Sequence, residues 1–311
     1  MKNKTALAVI CAALGNMIWG VSLPLTISGT SFLSEFYSGA GSGGYGYILL
    51  GHRFALSAII MLGMMLFGKN KVSFKGKRVL PILLLMVLQL LYYLFETYGI
   101  VYTNSTLSGL VLAVVPVLTI GTGALLLKEY PTKRQALFCI LPVAGVILIT
   151  ITGKSLEINN LYLGGLFLLM ALLTSAFYKT INRQAAQEYS AFERTFFVLS
   201  SSAVAFTIIG LKLTNWDVVA YVAPLGDLKY LALVFVLGLI CAIAANLLVN
   251  FAMSKMSVFK VASFGALSTL CSAIIGIFVM GDKVNASIII GGILILVGVR
   301  QLTAKEVKKN V

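Results

Sequence analysis

The chain has 311 residues, 59% of them hydrophobic and only 11% charged, with 24 Lys and Arg against 10 Asp and Glu. That balance excludes a soluble globular domain and marks an integral membrane protein. It also removes nucleic-acid binding as the meaning of the formal charge of +14, because the basic residues lie between apolar runs rather than along one face.

Apolar runs long enough to cross a bilayer fall at about 5–27, 46–67, 79–101, 106–127, 135–152, 161–179, 195–213, 229–251, 258–280 and 286–303. The first follows Lys2 and Lys4. It is too long for the core of a signal peptide and reads as a retained helix. It carries Trp19 and Pro24. The segment 28–44 that follows is rich in Gly and Ser and reads as a loop. Its Gly39, Gly41 and Gly44 fit the GxGxxG spacing, but no strand precedes them, so a dinucleotide fingerprint is excluded.

The second run holds His52 and Arg53. His52 is the only histidine, which rules out a multi-histidine metal site, and an imidazole can carry a coupled proton near neutral pH. The third run holds Gln89, Tyr92, Tyr93 and Glu96 on one helical face, with leucines and Val87 over most of the rest. A charge at that depth costs a few kcal/mol, so this stripe should face other helices or a water-filled cavity. Glu96 lies at a depth similar to that of His52 and Arg53, and either is a candidate to pair with it. The eighth run has its own polar stripe, Asn246 and Asn250, one turn apart. Trp19, Tyr92, Tyr93, Tyr178 and Phe264 are candidates for an aromatic cavity wall, which suits planar or quaternary-ammonium ligands. Pro24, Pro116 and Pro142 are candidate kinks.

The reading is therefore an all-α membrane protein with ten transmembrane helices. With the N-terminus inside, only Lys154, Lys212, Lys229 and Lys283 fall outside and Arg53 lies within a span; the other nineteen basic residues are inside. Both termini are expected to be cytoplasmic, in a multi-pass protein of a bacterial inner or plasma membrane. An offset of 153 residues brings Ala113 onto Ala266, Gly123 onto Gly276 and Glu129 onto Asp282 without a gap. It also brings Gly145-Val146 onto Gly298-Val299, Tyr93 onto Asn246 and Thr97 onto Asn250. The expected units are residues 1–156 and 157–311, with five spans each. An odd number of spans makes them inverted repeats.

Trp19-Gly20, Arg53-Phe54, the stretch from Ser108 to Pro116, Lys128-Glu129 with Gly145, and Gly281-Asp282 with Gly298 occur in an order and spacing that resembles the ten-helix drug/metabolite transporter superfamily, EamA type. The chain departs from that pattern in its long 28–44 segment, in Asp282 where Glu is usual, and in having no Trp near Ala176. The resemblance implies a secondary carrier of small metabolites, often outward, working by alternating access.

Two other classes are weaker. One histidine and one acid at depth do not make an intramembrane catalytic constellation, so an enzyme is not expected. A membrane sensor or scaffold would normally add a soluble domain, and the ten runs leave room for none. Both signs of charge near the expected site favour an amino acid or related zwitterion. A cationic amine held by Glu96 and the tyrosines comes next. The expected partners are a small-molecule substrate, membrane lipid and, through Glu96 or His52, a coupled proton; no cofactor or metal is expected.

Overall fold

A backbone surrounded by hydrocarbon has to satisfy its own hydrogen bonds, and an apolar run does so as a helix. The computed structural model describes residues 2–37, 44–68, 71–102, 111–112, 114–151, 161–280 and 286–308, and those residues are helical but for short connections. Residues 39–43, Ser108, Ala113, Lys154 and 281–283, singled out in the sequence, lie outside the described residues.

The helices are α1 (Lys2–Phe36), α2 (Tyr45–Phe67), α3 (Leu80–Tyr102), α4 (Val115–Leu127), α5 (Lys133–Ile151), α6 (Leu161–Ala185) and α7 (Ala191–Leu213). A short α8 (Val218–Val222) and a 3-10 turn (Ala223–Gly226) lead into α9 (Leu228–Met253), whose middle, Val236–Ala244, is π-helical. Then come α10 (Val258–Ser263), α11 (Ala266–Met280) and α12 (Ala286–Lys308). Among the described residues, seven helical stretches are long and apolar enough to cross a membrane. Three shorter apolar helices, Val115–Leu127, Ala136–Ile149 and Ala286–Gln301, fall where further spans were expected.

One expectation is corrected. Residues 28–36 are the last turns of α1, not a loop. Within it, Thr30 Oγ1 bonds back to its own helix, to Thr26 O at 2.9 Å. Leu33 is fully buried, and Phe32 stacks on Tyr230 at 4.9 Å. Tertiary packing thus overrides composition here. Pro116 also differs from the expected mid-helix kink. It sits in the first turn of α4, where a missing N–H leaves no carbonyl unpaired.

The packing partners follow a rule. α3 lies on α6 as α9 lies on α1, and α4 lies on α6 as α11 lies on α1. α2 packs on α7, α5 on α12 and α4 on α10. Exchanging α1, α2, α3, α4 and α5 for α6, α7, α9, α11 and α12 leaves these pairs unchanged, apart from that of α4 with α10. The same 153-residue offset relates two backbone bonds beside helix breaks, Val114 N–H to Val111 O at 3.2 Å and Leu267 N–H to Phe264 O at 2.9 Å.

The two ends of the bundle are built differently. At the end carrying Lys2 and Lys308, residues 71–79 are strapped to the α6–α7 connection. Ser73 N–H and Lys77 Nζ donate to Glu193 at 3.1 and 2.6 Å, and Arg78 holds Glu188 through its N–H and its Nε. The backbone N–H and guanidinium of Arg78 hold the Glu188 carboxyl below the usual carboxylate range. Glu193 also completes a capping box with Ser190 at the start of α7. At the far end Tyr221 of α8 packs on His52 of α2, and aromatic pairs join neighbouring helices. Tyr47 meets Tyr98 edge-on at 5.5 Å, and Tyr98 and Tyr102 stack on Phe167.

Candidate functional site

In the half of the bundle nearer the termini, α1, α6, α9 and α10 line a small cavity open to one side. α9 presents Asn246, Val249, Asn250 and Met253 to it, the i, i+3, i+4, i+7 positions of one helical face. α6 adds Tyr178, Lys179 and Asn182; α1 adds Asn16 and Trp19; α10 adds Val261. The π-helical stretch above this face is held by its neighbours. Trp19 Nε1 donates to Cys241 O at 3.1 Å and Ser57 Oγ to Gly238 O at 3.0 Å.

The floor of the cavity is a polar network around Arg194, which is 0% exposed. Its guanidinium donates to both oxygens of Asn182, to Asn250 O at 2.6 Å and to Ser254 Oγ at 2.7 Å. Asn182 Nδ2 donates to Asn250 Oδ1 at 2.7 Å, and Asn250 Nδ2 to Thr195 Oγ1 at 2.8 Å. No carboxylate pairs with Arg194 among the described residues. Higher up, Asn16 and Asn246 each donate to the carbonyl one turn back on their own helix, Ala12 O and Ala242 O, both at 2.7 Å. Their side-chain oxygens have no partner among the described residues. Lys179 has neither a hydrogen bond nor an ion pair among those residues.

The expected site residues divide into three places. Trp19, Tyr178, Asn246 and Asn250 line the cavity. Phe264, 2% exposed, lies in the apolar core against which Trp19 packs. Glu96, Tyr92, Tyr93, Arg53 and His52 lie outside the cavity wall. Tyr92 Oη donates to Glu96 at 2.7 Å, while Arg53 Nη2 donates to Tyr93 Oη at 3.3 Å with its guanidinium 5.7 Å from the Tyr93 ring. No ion pair joins Arg53 to Glu96, so that expected pairing is not formed. His52 does not meet Glu96 either. It faces α8 and α9, with Nδ1 2.9 Å from Tyr230 Oη and Nε2 3.0 Å from Tyr221 O. A carbonyl only accepts, so Nε2 carries the hydrogen and Nδ1 accepts from the tyrosine.

Gly99 packs on Leu168, and the rings of Phe95 and Phe167 lie 6.2 Å apart. Glu96 is therefore level with residues 167–171 of α6, about 12–18 Å along the axis from Lys179 at 1.5 Å per residue. Sequence reasoning missed Asn16, Lys179 and Asn182. Lys179 was assigned to a connection because the sixth apolar run ends there, yet α6 continues to Ala185. The available signal was the spacing of Tyr178, Lys179 and Asn182, which puts them on adjoining faces of one helix.

A bundle of membrane-length apolar helices around a partly polar cavity has the architecture of a membrane transporter. The profile of the EamA-like transporter family matches residues 6–151 and 162–303, and the chain belongs to that family. It is 30% identical over 255 residues to the "Uncharacterized transporter YcxC" of Bacillus subtilis (strain 168), covering 81% of each chain. It is 25% identical over 259 residues to the "Uncharacterized transporter YyaM" of the same organism, covering 82% of this chain and 83% of that one. A solved crystal structure matches with a TM-score of 0.75 and 16% identity over 96% of both chains, a likeness of fold alone.

Proposed function

We propose that the protein is a secondary active transporter that moves an amino acid or related zwitterion outward across the cytoplasmic membrane by alternating access. The observation that carries this reading is the partly polar cavity that α1, α6, α9 and α10 line in the half of the bundle nearer the termini. A cavity reached from one side is what one conformer of an alternating-access carrier requires. The exchangeable packing pairs and the two backbone bonds related by the 153-residue offset support two inverted five-helix units, 1–156 and 157–311. In this reading Trp19, Tyr178, Asn246 and Asn250 bind substrate in the cavity. Arg53, Tyr92, Tyr93 and Glu96 belong to the part of the path beyond it. His52, with both nitrogens engaged, ties α2 to α8 and α9.

The topology is tested by single cysteines at positions 2, 154, 283 and 308 in a cysteine-free background. Positions 154 and 283 are expected to react with an impermeant reagent from outside, and 2 and 308 only after the membrane is opened. Outside labelling at 308 would sink the arrangement.

A second reading, a proton-coupled carrier of a cationic amine, is favoured by one observation. Among the described residues Glu96 has Tyr92 as its hydrogen-bond partner and no cation in ion-pair contact with it. The two readings part at Glu96→Gln. The amide oxygen still accepts from Tyr92 and no ion pair is broken, so stability should change by less than about 1 kcal/mol. Transport in proteoliposomes should slow while keeping its pH dependence if the substrate is a zwitterion. A pH-independent residual rate would favour the amine reading, and a wild-type rate at every pH would take Glu96 off the path.

A further inference from the structure

We propose that Lys179 anchors a carboxylate of the transported molecule, an inference that rests on the transporter reading above and names the chemistry of its substrate. Lys179 sits six residues before the end of α6, about 9 Å into the bundle, and lines the cavity. A lysine near a helix end usually reaches out to water. This one borders a cavity lined by asparagines and an indole, and no group among the described residues balances its charge.

The acids nearby are committed elsewhere. Glu129 Oε1 is taken by Arg183 at 2.8 Å and its Oε2 by the Val258 N–H at 2.8 Å. Glu193 is held by Lys77, Ser73 and Ser190. Glu96 is about 12–18 Å away along the axis. Arg194, bonded to the lining Asn182 and Asn250 but not itself on the cavity wall, is of the same sign as Lys179. Among the described residues the site thus carries a cation and no counter-charge, a costly arrangement unless an arriving molecule supplies the anion.

The remaining polar atoms say what else that molecule carries. The free oxygens of Asn16 and Asn246 accept hydrogen bonds, so they suit an ammonium or hydroxyl donor beside the carboxylate. A small α-amino or α-hydroxy acid provides both groups. An amine without a carboxylate would place a second cation beside Lys179. Lysine is a compact single charge on a flexible stem, and it can follow a small anion and release it in a way that a rigid bidentate fork would not.

The test compares metabolite profiles, inside and outside, of cells making the wild-type chain, Lys179→Gln, Lys179→Arg or no transporter, with the melting temperature of each purified variant. The metabolites displaced by the wild type are expected to carry a carboxylate. Their displacement should fall at least tenfold in Lys179→Gln and recover in part in Lys179→Arg. Purified Lys179→Gln should melt no lower than the wild type, since no partner is lost. Displaced metabolites that are amines or phosphate esters without a carboxylate would overturn the anchor and leave the carrier standing. So would a Lys179→Gln profile equal to the wild type, or a Lys179→Gln protein that melts lower or fails to accumulate, because Lys179 would then be structural. If the wild-type profile matches that of cells without the transporter, the carrier reading fails and the anchor fails with it.

Discussion

Arg194→Ala is expected to lower the stability of the bundle by about 2–4 kcal/mol. The guanidinium is wholly buried and bonds to α6 through Asn182 and to α9 through Asn250. It also reaches Ser254, in the turn that follows α9. Removing it leaves the Asn182 side-chain oxygen without that donor and opens a void where three elements meet. Part of the loss is offset, because a buried cation with no paired carboxylate no longer has to be desolvated. Arg194→Lys separates the two contributions. It keeps the charge but cannot span Asn182 and Asn250 together, so it should lose nearly as much. The measurement is the unfolding midpoint in detergent. An Arg194→Ala midpoint equal to the wild type would mean that desolvation cancels every bond in the network.

Gly145→Val should be as damaging for a different reason. A Cβ on Gly145 would lie 2.5 Å from the carbonyl oxygen of Gly291 and 2.8 Å from Ile295 Cγ1, and one on Gly291 would lie 2.6 Å from the Gly145 carbonyl. Backbone stands on both sides, so no rotamer can give way and α5 and α12 must part. We expect a loss of about 3 kcal/mol, the upper end of what overpacking costs, read as a lower melting temperature or failure to accumulate in the membrane. Gly121, with nothing within 4 Å of an added Cβ, is the control, and Gly121→Val should stay within about 1 kcal/mol. Equal losses at the two positions would mean that helix propensity, not the close crossing, sets the effect.

Hydropathy made the helices legible because in an apolar solvent the cost of an unpaired backbone leaves almost no alternative. The period of α9 likewise put Asn246 and Asn250 on one face before any neighbour was known. Glu96 shows where that reasoning stops. The sequence reveals that an acid at this depth is costly, but not which helix it meets, and Tyr92 on its own helix turns out to hold it. Lys179 was hidden by the opposite error. A basic residue at the edge of an apolar run is what a cytoplasmic connection looks like, and only the extra turns of α6 to Ala185 place it beside the cavity. The Trp19-Gly20 pair was visible as a motif, yet its reason is three-dimensional. The indole ties to Cys241 O, and Gly20 lets α1 approach the Ser268 backbone.

The wide turns between Val236 and Ala244 set the angular phase of everything that follows in α9. One residue is worth about 100° of rotation in an α-helix. Winding this stretch at α-helical pitch without removing a residue would swing Asn246 and Asn250 around the axis by about the one residue that the wider turns absorb. The asparagine face would then point at a neighbouring helix instead of the cavity. No side chain in the cavity would have been altered, yet its wall would be replaced. Among relatives, a change of winding confined to this one stretch could therefore change which molecules a carrier of this kind accepts while every lining residue stays the same.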